Sequence, residues 1–324
     1  MATIIDDMIY RLNSMSCWIV ILIFLITLIA LVYLYRLFNI PQKPKSQNVE
    51  AFTQQKQFVS LQGSQVFDDF YATMFDDLFY KNIYDEYEVG LILNKTKPVT
   101  ESDVLVIGSK SGFINNLFQK KGFNSYGIET SPFMVKQAKQ KYPSCNFITG
   151  NPLDLMNYDA EKFSLISILD FSLYMIHDRR ILFDNCYRWL LPGGYFVIHL
   201  VNTYDFYNSQ VYATKVNKFN PILQKLFRPD NEMNVIGFNN KSIGDFDYKS
   251  QMILGEDNNI EFQENFKNRK DGRIRQQIRK VQFPDMKLIL SEAKDAGFNM
   301  LSQLDLISLN KPYQYLFILY KPSL

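Results

Sequence analysis

From residue 103 onward, short apolar segments alternate with amphipathic segments, and this pattern limits the fold more than any other feature of the chain. Strands are predicted at 103–108, 125–129, 146–150, 163–170 and 192–201, and helices at 113–122, 131–143 and 179–191. The strand segments are almost continuously apolar, which is typical of strands that are buried on both faces of a parallel sheet. The sequence therefore predicts an α/β fold with a doubly wound parallel sheet.

The first predicted strand ends in the turn GSKSG, residues 108–112, which leads directly into a helix. Such a turn presents backbone N–H groups and a helix N-terminus, a combination that holds the anionic groups of nucleotide-like ligands. Two glycines at this spacing are equally consistent with an ordinary strand-to-helix turn. In open parallel sheets, ligands bind beyond the carboxyl ends of the strands, where the strand order reverses. We expect this turn to lie there.

Polar side chains follow the other predicted strands at the same edge of the sheet. Glu129 ends the second strand, about 20 residues after Gly108, a spacing at which a carboxylate accepts hydrogen bonds from ribose hydroxyls. Asn151 and Asp154 follow the third strand, and Asp170 ends the fourth. These groups are expected to converge on one crevice, which is the usual place for a ligand in such a fold. A solvated strand-end carboxylate is the alternative for Glu129.

Several of these segments resemble those of class I S-adenosylmethionine-dependent methyltransferases. VLVIGSKSG (104–112) is similar to the glycine-rich loop of that family, and YGIETSPFMVKQA (126–138) to its second-strand signature with the ribose-binding acid. NCYRWLLPGGYFVIHLV (185–201) resembles its Pro-Gly-Gly fifth strand. The C-terminal segment resembles its last helix and final hairpin. The resemblance implies a Rossmann-like sheet of seven strands with an antiparallel last strand.

The resemblance also implies S-adenosylmethionine as the cofactor and transfer of its methyl group as the reaction. It assigns these residues to the cofactor: Gly108, Ser109, Lys110 and Gly112 at the methionine and ribose end, Glu129 at the ribose, Thr130 and Met134 beside adenine, Asn151 near the adenine amino edge, and Asp170 near the methionine amine or the acceptor. Tyr174 and His177, after the fourth strand, are the candidate catalytic residues on the acceptor side. For His177, a surface histidine before a helix is the alternative.

Two residues of the loop region depart from the family pattern. Val106 stands where the family usually has an aspartate, and Lys110 stands where it has its middle glycine. A side chain at that glycine forces the backbone into an unfavourable angle or meets the ligand. Lys110 therefore either turns outward, or pairs with the cofactor carboxylate, or marks a site that has decayed into a scaffold.

Residues 17–36 contain an apolar segment, WIVILIFLITLIALVYL (18–34), that carries no charge and is long enough to cross a bilayer as a helix. A cleaved signal peptide is the alternative, but its apolar region is usually shorter and a small-residue cleavage site follows it. Three basic residues follow the segment, namely Arg36, Lys43 and Lys45. By the positive-inside rule, the sequence predicts a single-pass membrane anchor with a cytoplasmic C-terminal domain.

The composition narrows the classes of partner. The 35 Lys and Arg are balanced by 33 Asp and Glu and are interspersed with them, so nucleic acid is not expected as a partner. The three cysteines are widely separated and there are only two histidines, so neither a disulfide framework nor a metal site is expected.

The region between the fifth strand and the last helix is too long for a simple connection and is expected to form a lid or acceptor domain. FDYKSQMIL, NIEFQENF and RIRQQIRKVQF alternate in a way that favours a small antiparallel sheet. The predicted organisation is a tail (1–16), the transmembrane anchor (17–36), a linker (37–62), cap helices (63–100), the cofactor-binding core (101–202), the insert (203–283), and the last helix and strands of the core (284–324).

More narrowly, the order of anchor, cap helix FDDFYATMFDDLFY (67–80), core and insert resembles a membrane-anchored methyltransferase group of large DNA viruses. The main hypothesis is therefore a membrane-anchored methyltransferase that acts on a small molecule, a lipid or a protein. A catalytically inactive membrane scaffold or interaction protein is the alternative. A nicotinamide-dependent oxidoreductase shares the loop and Glu129, but it accounts neither for the Pro-Gly-Gly strand nor for the final hairpin.

Overall fold

A computed structural model of the chain describes residues 18–19, 22, 25–31, 58–80, 82–206, 235–254, 259–309 and 311–323. Residues 1–55 and 56–324 form two separate compact units. In the first unit the described residues are helical, and apolar side chains such as Trp18 and Ile29 are exposed. Within the described ranges no helix is both long and apolar enough to cross a membrane. Much of the predicted anchor at 17–36 lies outside these ranges, so the anchor stays a prediction.

The second unit is built from strands and helices that we number along the chain. The strands are β1 (Phe58–Gln62), β2 (Asp103–Ile107), β3 (Asn124–Glu129), β4 (Asn146–Thr149), β5 (Phe163–Ile168), β6 (Leu190–Val201), β7 (Val235–Ile243), β8 (Phe246–Leu254), β9 (Asn259–Asn268), β10 (Ile274–Gln282), β11 (Asn299–Asp305) and β12 (Gln314–Tyr320). The helices are α1 (Asp69–Phe79), α2 (Asn82–Thr96), α3 (Phe113–Lys120), α4 (Pro132–Lys141), α5 (Arg179–Trp189) and α6 (Met286–Asp295).

The main sheet has seven strands in the order β11-β12-β6-β5-β2-β3-β4. The five strands β2 to β6 pair with one another in parallel. Strand β12 is antiparallel to both of its neighbours, β6 and β11. The predicted doubly wound, Rossmann-like sheet with an antiparallel last strand is therefore confirmed. The strand order reverses between β2 and β5, so the crevice of the fold opens beyond the carboxyl ends of these two strands.

The buried strands and capped helices explain why the sequence forms these elements. Residues 104–107 and 165–168 are buried on both faces of the sheet, as continuous apolar strands require. Helix α4 begins with Pro132, and the Ser131 side chain accepts a hydrogen bond from the Met134 N–H. Trp189, fully buried at the end of α5, belongs to the core between α5, α6 and the sheet.

A second sheet contains five strands in the order β1-β10-β9-β8-β7. Strands β7 to β10 are antiparallel, in agreement with the alternation in the insert, and residues 207–234 of that insert lie outside the described residues. Strand β1 pairs in parallel with β10, with Phe58 opposite Ile274. Residues 58–62 thus belong to a strand, although the sequence predicted a linker over 37–62. Their partner lies far along the chain, so local composition gave no sign of the pairing.

Helix α1 is joined to the second sheet by one buried carboxylate. Glu264 is 2% exposed and accepts hydrogen bonds from the Tyr71 hydroxyl (2.9 Å), the Tyr248 hydroxyl (2.8 Å), Gln277 Nε2 (2.9 Å) and Arg279 Nη2 (2.9 Å). Burial raises the pKa of Tyr71 well above its usual range, so its hydroxyl remains a donor. We call these five residues the Glu264 cluster. Because all four partners donate to the Glu264 carboxylate, the cluster fixes α1 on the sheet.

Candidate functional site

The turn after β2 has the backbone of a glycine-rich loop despite the lysine at its centre. Gly108 has a φ of 68°, Lys110 of 52° and Gly112 of 84°. A positive φ is uncommon for a residue with a Cβ atom, so Lys110 holds a conformation that glycine adopts without strain. A Cβ atom at Gly112 would lie 2.6 Å from the Phe147 ring. Lys110 therefore adds a side chain to the loop, while its backbone has a φ that glycine adopts without strain.

The missing aspartate at position 106 is replaced by other contacts. Val106 is 2% exposed and packs in the core on β2. The loop is held instead by Asp76 on α1, which accepts a hydrogen bond from the Ser111 hydroxyl, and by Glu129. Helix α1, which the sequence predicted as a cap helix, thus covers the loop directly.

Glu129 lies at the end of β3 and is tied to the loop. Its Oε2 accepts a hydrogen bond from the Lys110 N–H (3.1 Å), and its Oε1 accepts from the Ser131 N–H (3.0 Å) and the Thr130 hydroxyl (3.1 Å). These contacts fix the carboxylate at the carboxyl edge of the sheet, where the sequence predicted it.

Lys110 spans the distance from Glu129 to Asp170. Its ammonium lies 3.3 Å from the Asp170 carbonyl oxygen and 3.5 Å from Asp170 Oδ2. The ammonium also lies 5.8 Å from the centre of the Phe75 ring, a distance at which a cation and a ring face attract each other. The side chain is only 15% exposed. In this structure Lys110 is therefore turned inward, across the crevice.

Asp170 carries a charge that two lysines balance. Burial opposes its ionisation, but Lys110 and Lys311, each 3.5 Å away, hold its pKa well below its usual range. Lys311 also pairs with Glu88 at 2.5 Å, and burial raises the pKa of Glu88 to about 7. The crevice thus contains a carboxylate that stays ionised at neutral pH and already has a second counterion.

The sequence did not predict the roles of Glu88, Lys311 and Tyr80. Glu88 lies in α2, and Lys311 lies between β11 and β12, so only the tertiary fold brings them together. Tyr80 stacks on Phe113 with ring centres 4.7 Å apart. Burial, with Asp170 close by, raises the pKa of Tyr80 well above its usual range. No motif in the sequence signals these three positions.

The two candidate catalytic residues have different surroundings. Tyr174 is 6% exposed, its hydroxyl accepts a hydrogen bond from the Val201 N–H (2.8 Å), and its ring stacks on Phe283 with centres 4.3 Å apart. These contacts give Tyr174 a structural role in the core. His177 is exposed just before α5, which is the position that the alternative described. A catalytic role stays a prediction for both residues.

The residues predicted near adenine are partly dispersed. Thr130 and Asn151 are exposed, and the Asn151 side chain accepts a hydrogen bond from the Leu153 N–H (3.1 Å). Met134 is fully buried in the cluster that packs α1 against α4 and the second sheet. Ser109 is 2% exposed beneath the loop. The structure therefore brings Gly108, Lys110, Gly112, Glu129 and Asp170 together, whereas Met134 and Ser109 belong to the packed interior.

A cavity of about 710 Å³ lies beside the loop, between α1, the start of α3 and the hairpin of β7 and β8. Its lining includes Asp76, Tyr80, Phe113, Tyr142 and Lys241. Lys110, Glu129 and Asp170 are not among its lining residues. The cavity therefore opens on the α1 side of the loop.

His199, on β6, is a neutral histidine inside the site. Burial lowers its pKa to about 3. Its Nδ1 accepts a hydrogen bond from the Asp170 N–H (3.2 Å), and its ring stacks on Phe171 with centres 5.4 Å apart. An unprotonated Nδ1 is needed for that hydrogen bond, so His199 orients Asp170 only in its neutral form.

We expect His199→Gln to reduce the loss of unfolding free energy that the protein undergoes at acidic pH. The folded pKa lies below that of an unfolded histidine (~6.5), so the unfolded state binds the extra proton and the stability from His199 is lost as the pH falls below 6.5. The difference in unfolding free energy between the wild type and the variant should therefore shrink by roughly 2–3 kcal/mol from pH 6.5 to 4.5. Denaturant unfolding at several pH values measures this difference, in which the titration of Glu88 cancels. A difference that does not change with pH would contradict the assignment.

Comparisons with known proteins agree with this geometry. Residues 105–198 match a family model described as a methyltransferase domain. This part of the core is therefore similar in sequence to methyltransferase domains. The match confirms the predicted class of enzyme, an S-adenosylmethionine-dependent methyltransferase, and S-adenosylmethionine as its predicted cofactor. No curated protein matches the chain in sequence.

Solved structures show the same fold at low sequence identity. An S-adenosylmethionine-dependent methyltransferase from Clostridium acetobutylicum is 16% identical with a TM-score of 0.58, covering 79% of this chain and 99% of that chain. The CcbJ methyltransferase from Streptomyces caelestis is 14% identical with a TM-score of 0.58, covering 80% of this chain and 98% of that chain. CalS10, an amino pentose methyltransferase from Micromonospora echinaspora in a complex with its cofactor, is 14% identical with a TM-score of 0.57, covering 78% and 96%.

The crevice residues fit this cofactor once the Lys110 side chain moves aside. Glu129 offers the acceptor that the ribose hydroxyls of an adenosine require. Asp170, whose pKa is lowered, suits a cationic amine at the other end. Within the described ranges no group of three or more His, Cys, Asp or Glu side chains is placed to hold a metal ion.

Proposed function

We propose that the chain is a membrane-anchored, cytoplasm-facing methyltransferase that transfers the methyl group of S-adenosylmethionine to an acceptor at the membrane. The observation that carries the proposal is the convergence of the glycine-rich loop, Glu129 and Asp170 at the switch point of a methyltransferase domain. The anchor is supported by the apolar segment at 17–36, whose described residues are helical and exposed. The narrower resemblance to methyltransferases of large DNA viruses is part of this proposal.

The cofactor supplies an electrophilic methyl group on a sulfonium, and the protein's own residues orient the reactants and exclude water. Glu129 would hold the ribose hydroxyls, and the loop and Asp170 would hold the aminoacyl end. Helix α1 closes the loop from outside, since Phe75 is 4% exposed and Asp76 holds Ser111. Orientation and removal of water are the main contributions to an in-line transfer, and no protein nucleophile is required.

The acceptor is proposed to be a small molecule, a lipid or a protein. An amine is one candidate group, because one of the similar structures is an amino pentose methyltransferase. An amine or hydroxyl acceptor gives up a proton during transfer, so such an acceptor needs a base. His177 is exposed on the segment after β5 and is the proposed base for an acceptor of that kind.

The alternative is an inactive methyltransferase-like scaffold at the membrane. The observation that favours it is the Lys110 side chain, which lies across the crevice, together with Val106 in place of the usual acid. In this alternative the fold presents a surface to a partner and the crevice stays closed.

The experiment that tests the proposal uses the full chain expressed in cells. Membranes are washed at alkaline pH, incubated with S-adenosylmethionine that carries a tritiated methyl group, and separated into lipid, protein and small-molecule fractions. We expect the chain to stay with the membranes and to label one fraction, and the Glu129→Ala variant to label none. Retention in the membranes without label would favour the scaffold, and release by the wash would contradict the anchor.

A further inference from the structure

We propose that the Lys110 side chain is a built-in competitor of the cofactor, whose ammonium occupies Asp170 in the ligand-free protein and leaves when the aminoacyl end of the cofactor binds. The inference rests on the proposed function and adds a residue that sets the affinity of the same site. Lys110 stands where the resembling family has a glycine, which has no side chain.

The first observation is that Lys110 bridges both acids of the crevice. Its backbone N–H is bonded to Glu129 Oε2 at 3.1 Å, and its ammonium lies 3.5 Å from Asp170 Oδ2. The aliphatic part of the side chain thus runs from the end of β3 towards the end of β5. A ligand that contacts both acids has to take the place of this side chain.

The second observation is that the ammonium is well bound where it lies. The ammonium contacts the Asp170 carboxylate, the Asp170 carbonyl oxygen at 3.3 Å and the face of the Phe75 ring. The Lys110 side chain is 15% exposed. A charged group with these partners is more stable than one left without them, because partial burial weakens its hydration. The ligand-free protein therefore favours the arrangement in which the crevice is filled.

The third observation is that Asp170 has a second counterion besides Lys110. Lys311 lies 3.5 Å from Asp170 Oδ1 and is held by Glu88 at 2.5 Å. When the Lys110 ammonium leaves, Asp170 keeps one counterion and can accept a new cation in place of the old one. Lys311 is also held by a second acid, Glu88, so Lys110 is the exchangeable partner.

The competitor and the ligand carry the same kind of cation. S-adenosylmethionine and S-adenosylhomocysteine both end in an α-ammonium group, which is a primary ammonium like that of lysine. A site whose open state is only partly populated shows an apparent affinity reduced by that population. Removing the ammonium of Lys110 is therefore expected to strengthen the binding of ligands that have an aminoacyl end.

The test is a calorimetric titration of the full chain in a mild detergent. The ligands are S-adenosylhomocysteine and 5′-methylthioadenosine, which lacks the aminoacyl end. Lys110→Met keeps most of the length of the side chain and removes its charge, and Lys110→Gly also suits the positive φ. Lys136→Met is the matched control, because Lys136 pairs with Asp69 on the surface at 3.3 Å.

Both Lys110 variants are expected to bind S-adenosylhomocysteine roughly tenfold more tightly than the wild type, which corresponds to about 1.4 kcal/mol. The gain for 5′-methylthioadenosine should be smaller, and the Lys136→Met control should equal the wild type. Unchanged affinity would overturn the inference, and weaker binding would mean that Lys110 binds the cofactor carboxylate instead. If neither ligand binds to any of the folded proteins, the proposed function itself fails, and this outcome is distinct from equal affinities.

A second readout needs no variant. Acylation of lysines by a water-soluble ester, followed by mass spectrometry, reports how accessible each ammonium group is. In the wild type Lys110 should react slowly without ligand and several-fold faster with saturating S-adenosylhomocysteine, while Lys136 keeps its rate. A Lys110 rate that falls or stays the same on binding would overturn the inference.

Discussion

Replacing Glu129 with alanine is expected to weaken binding of S-adenosylmethionine about 100-fold. The carboxylate is the proposed acceptor for the ribose hydroxyls, and hydrogen bonds to a charged group contribute about 1.5–3 kcal/mol each. A loss of about 3 kcal/mol corresponds to roughly two powers of ten in affinity. The ligand-induced rise in Tm, measured over a range of cofactor concentrations, gives the dissociation constants of both proteins.

The Glu129 result needs two controls, because the carboxylate also accepts hydrogen bonds from the Lys110 and Ser131 N–H groups. Glu129→Gln keeps an acceptor for the loop and should bind more tightly than the alanine variant but less tightly than the wild type. Glu161→Ala removes an exposed acid, 56% accessible in its side chain, and should leave the affinity unchanged. Equal affinity of the wild type and Glu129→Ala would exclude Glu129 from the cofactor site.

Replacing Glu264 with alanine is expected to lower the free energy of unfolding by about 3–5 kcal/mol. The substitution leaves the Arg279 guanidinium, whose side chain is 15% exposed, without its carboxylate partner. It also removes the acceptor of the Tyr71 and Tyr248 hydroxyls and of Gln277. Unpaired buried donors cost more than the hydrogen bond itself contributes, so one deletion affects the whole Glu264 cluster. Chemical denaturation of the full chain measures the loss.

Two further variants show whether the loss comes from the unpaired charge. Glu264→Met combined with Arg279→Met removes both charges and should recover a large part of the stability, since a buried pair replaced by apolar groups is often close to neutral. Glu261→Ala, on the same strand, removes an acid that lies 3.7 Å from the exposed Lys280 and should cost less than about 1 kcal/mol. A small loss for Glu264→Ala would mean that the cluster does not join α1 to the sheet.

The sequence predicted the main sheet because the information for it is local. Continuous apolar strands such as 104–107 alternate with helices whose starts are marked, as at Ser131 and Pro132, and each signal lies within a few residues of the element it specifies. The antiparallel last strand came from the resemblance and is confirmed by the pairing of β12 with β6. Glu129 and Asp170 were placed correctly at the edge because a parallel sheet brings its strand ends together.

The remaining features depend on contacts between distant parts of the chain. Strand β1 pairs with β10, and Lys311 meets Glu88, across separations that no local pattern shows. The direction of the Lys110 side chain follows from Asp170 and Phe75 rather than from the loop sequence. The place of Tyr174 after the fourth strand makes it a candidate for the acceptor side, and its hydroxyl accepts a hydrogen bond from the Val201 N–H of β6.

A calorimetric titration of the wild-type full chain with S-adenosylhomocysteine tests directly whether the crevice holds the cofactor. If the crevice between Glu129 and Asp170 is a working cofactor site, the titration should show saturable binding with one ligand per chain. No heat of binding with a demonstrably folded chain, both for the wild type and for Lys110→Gly, would mean that the crevice does not hold the cofactor, and it would contradict the proposed activity.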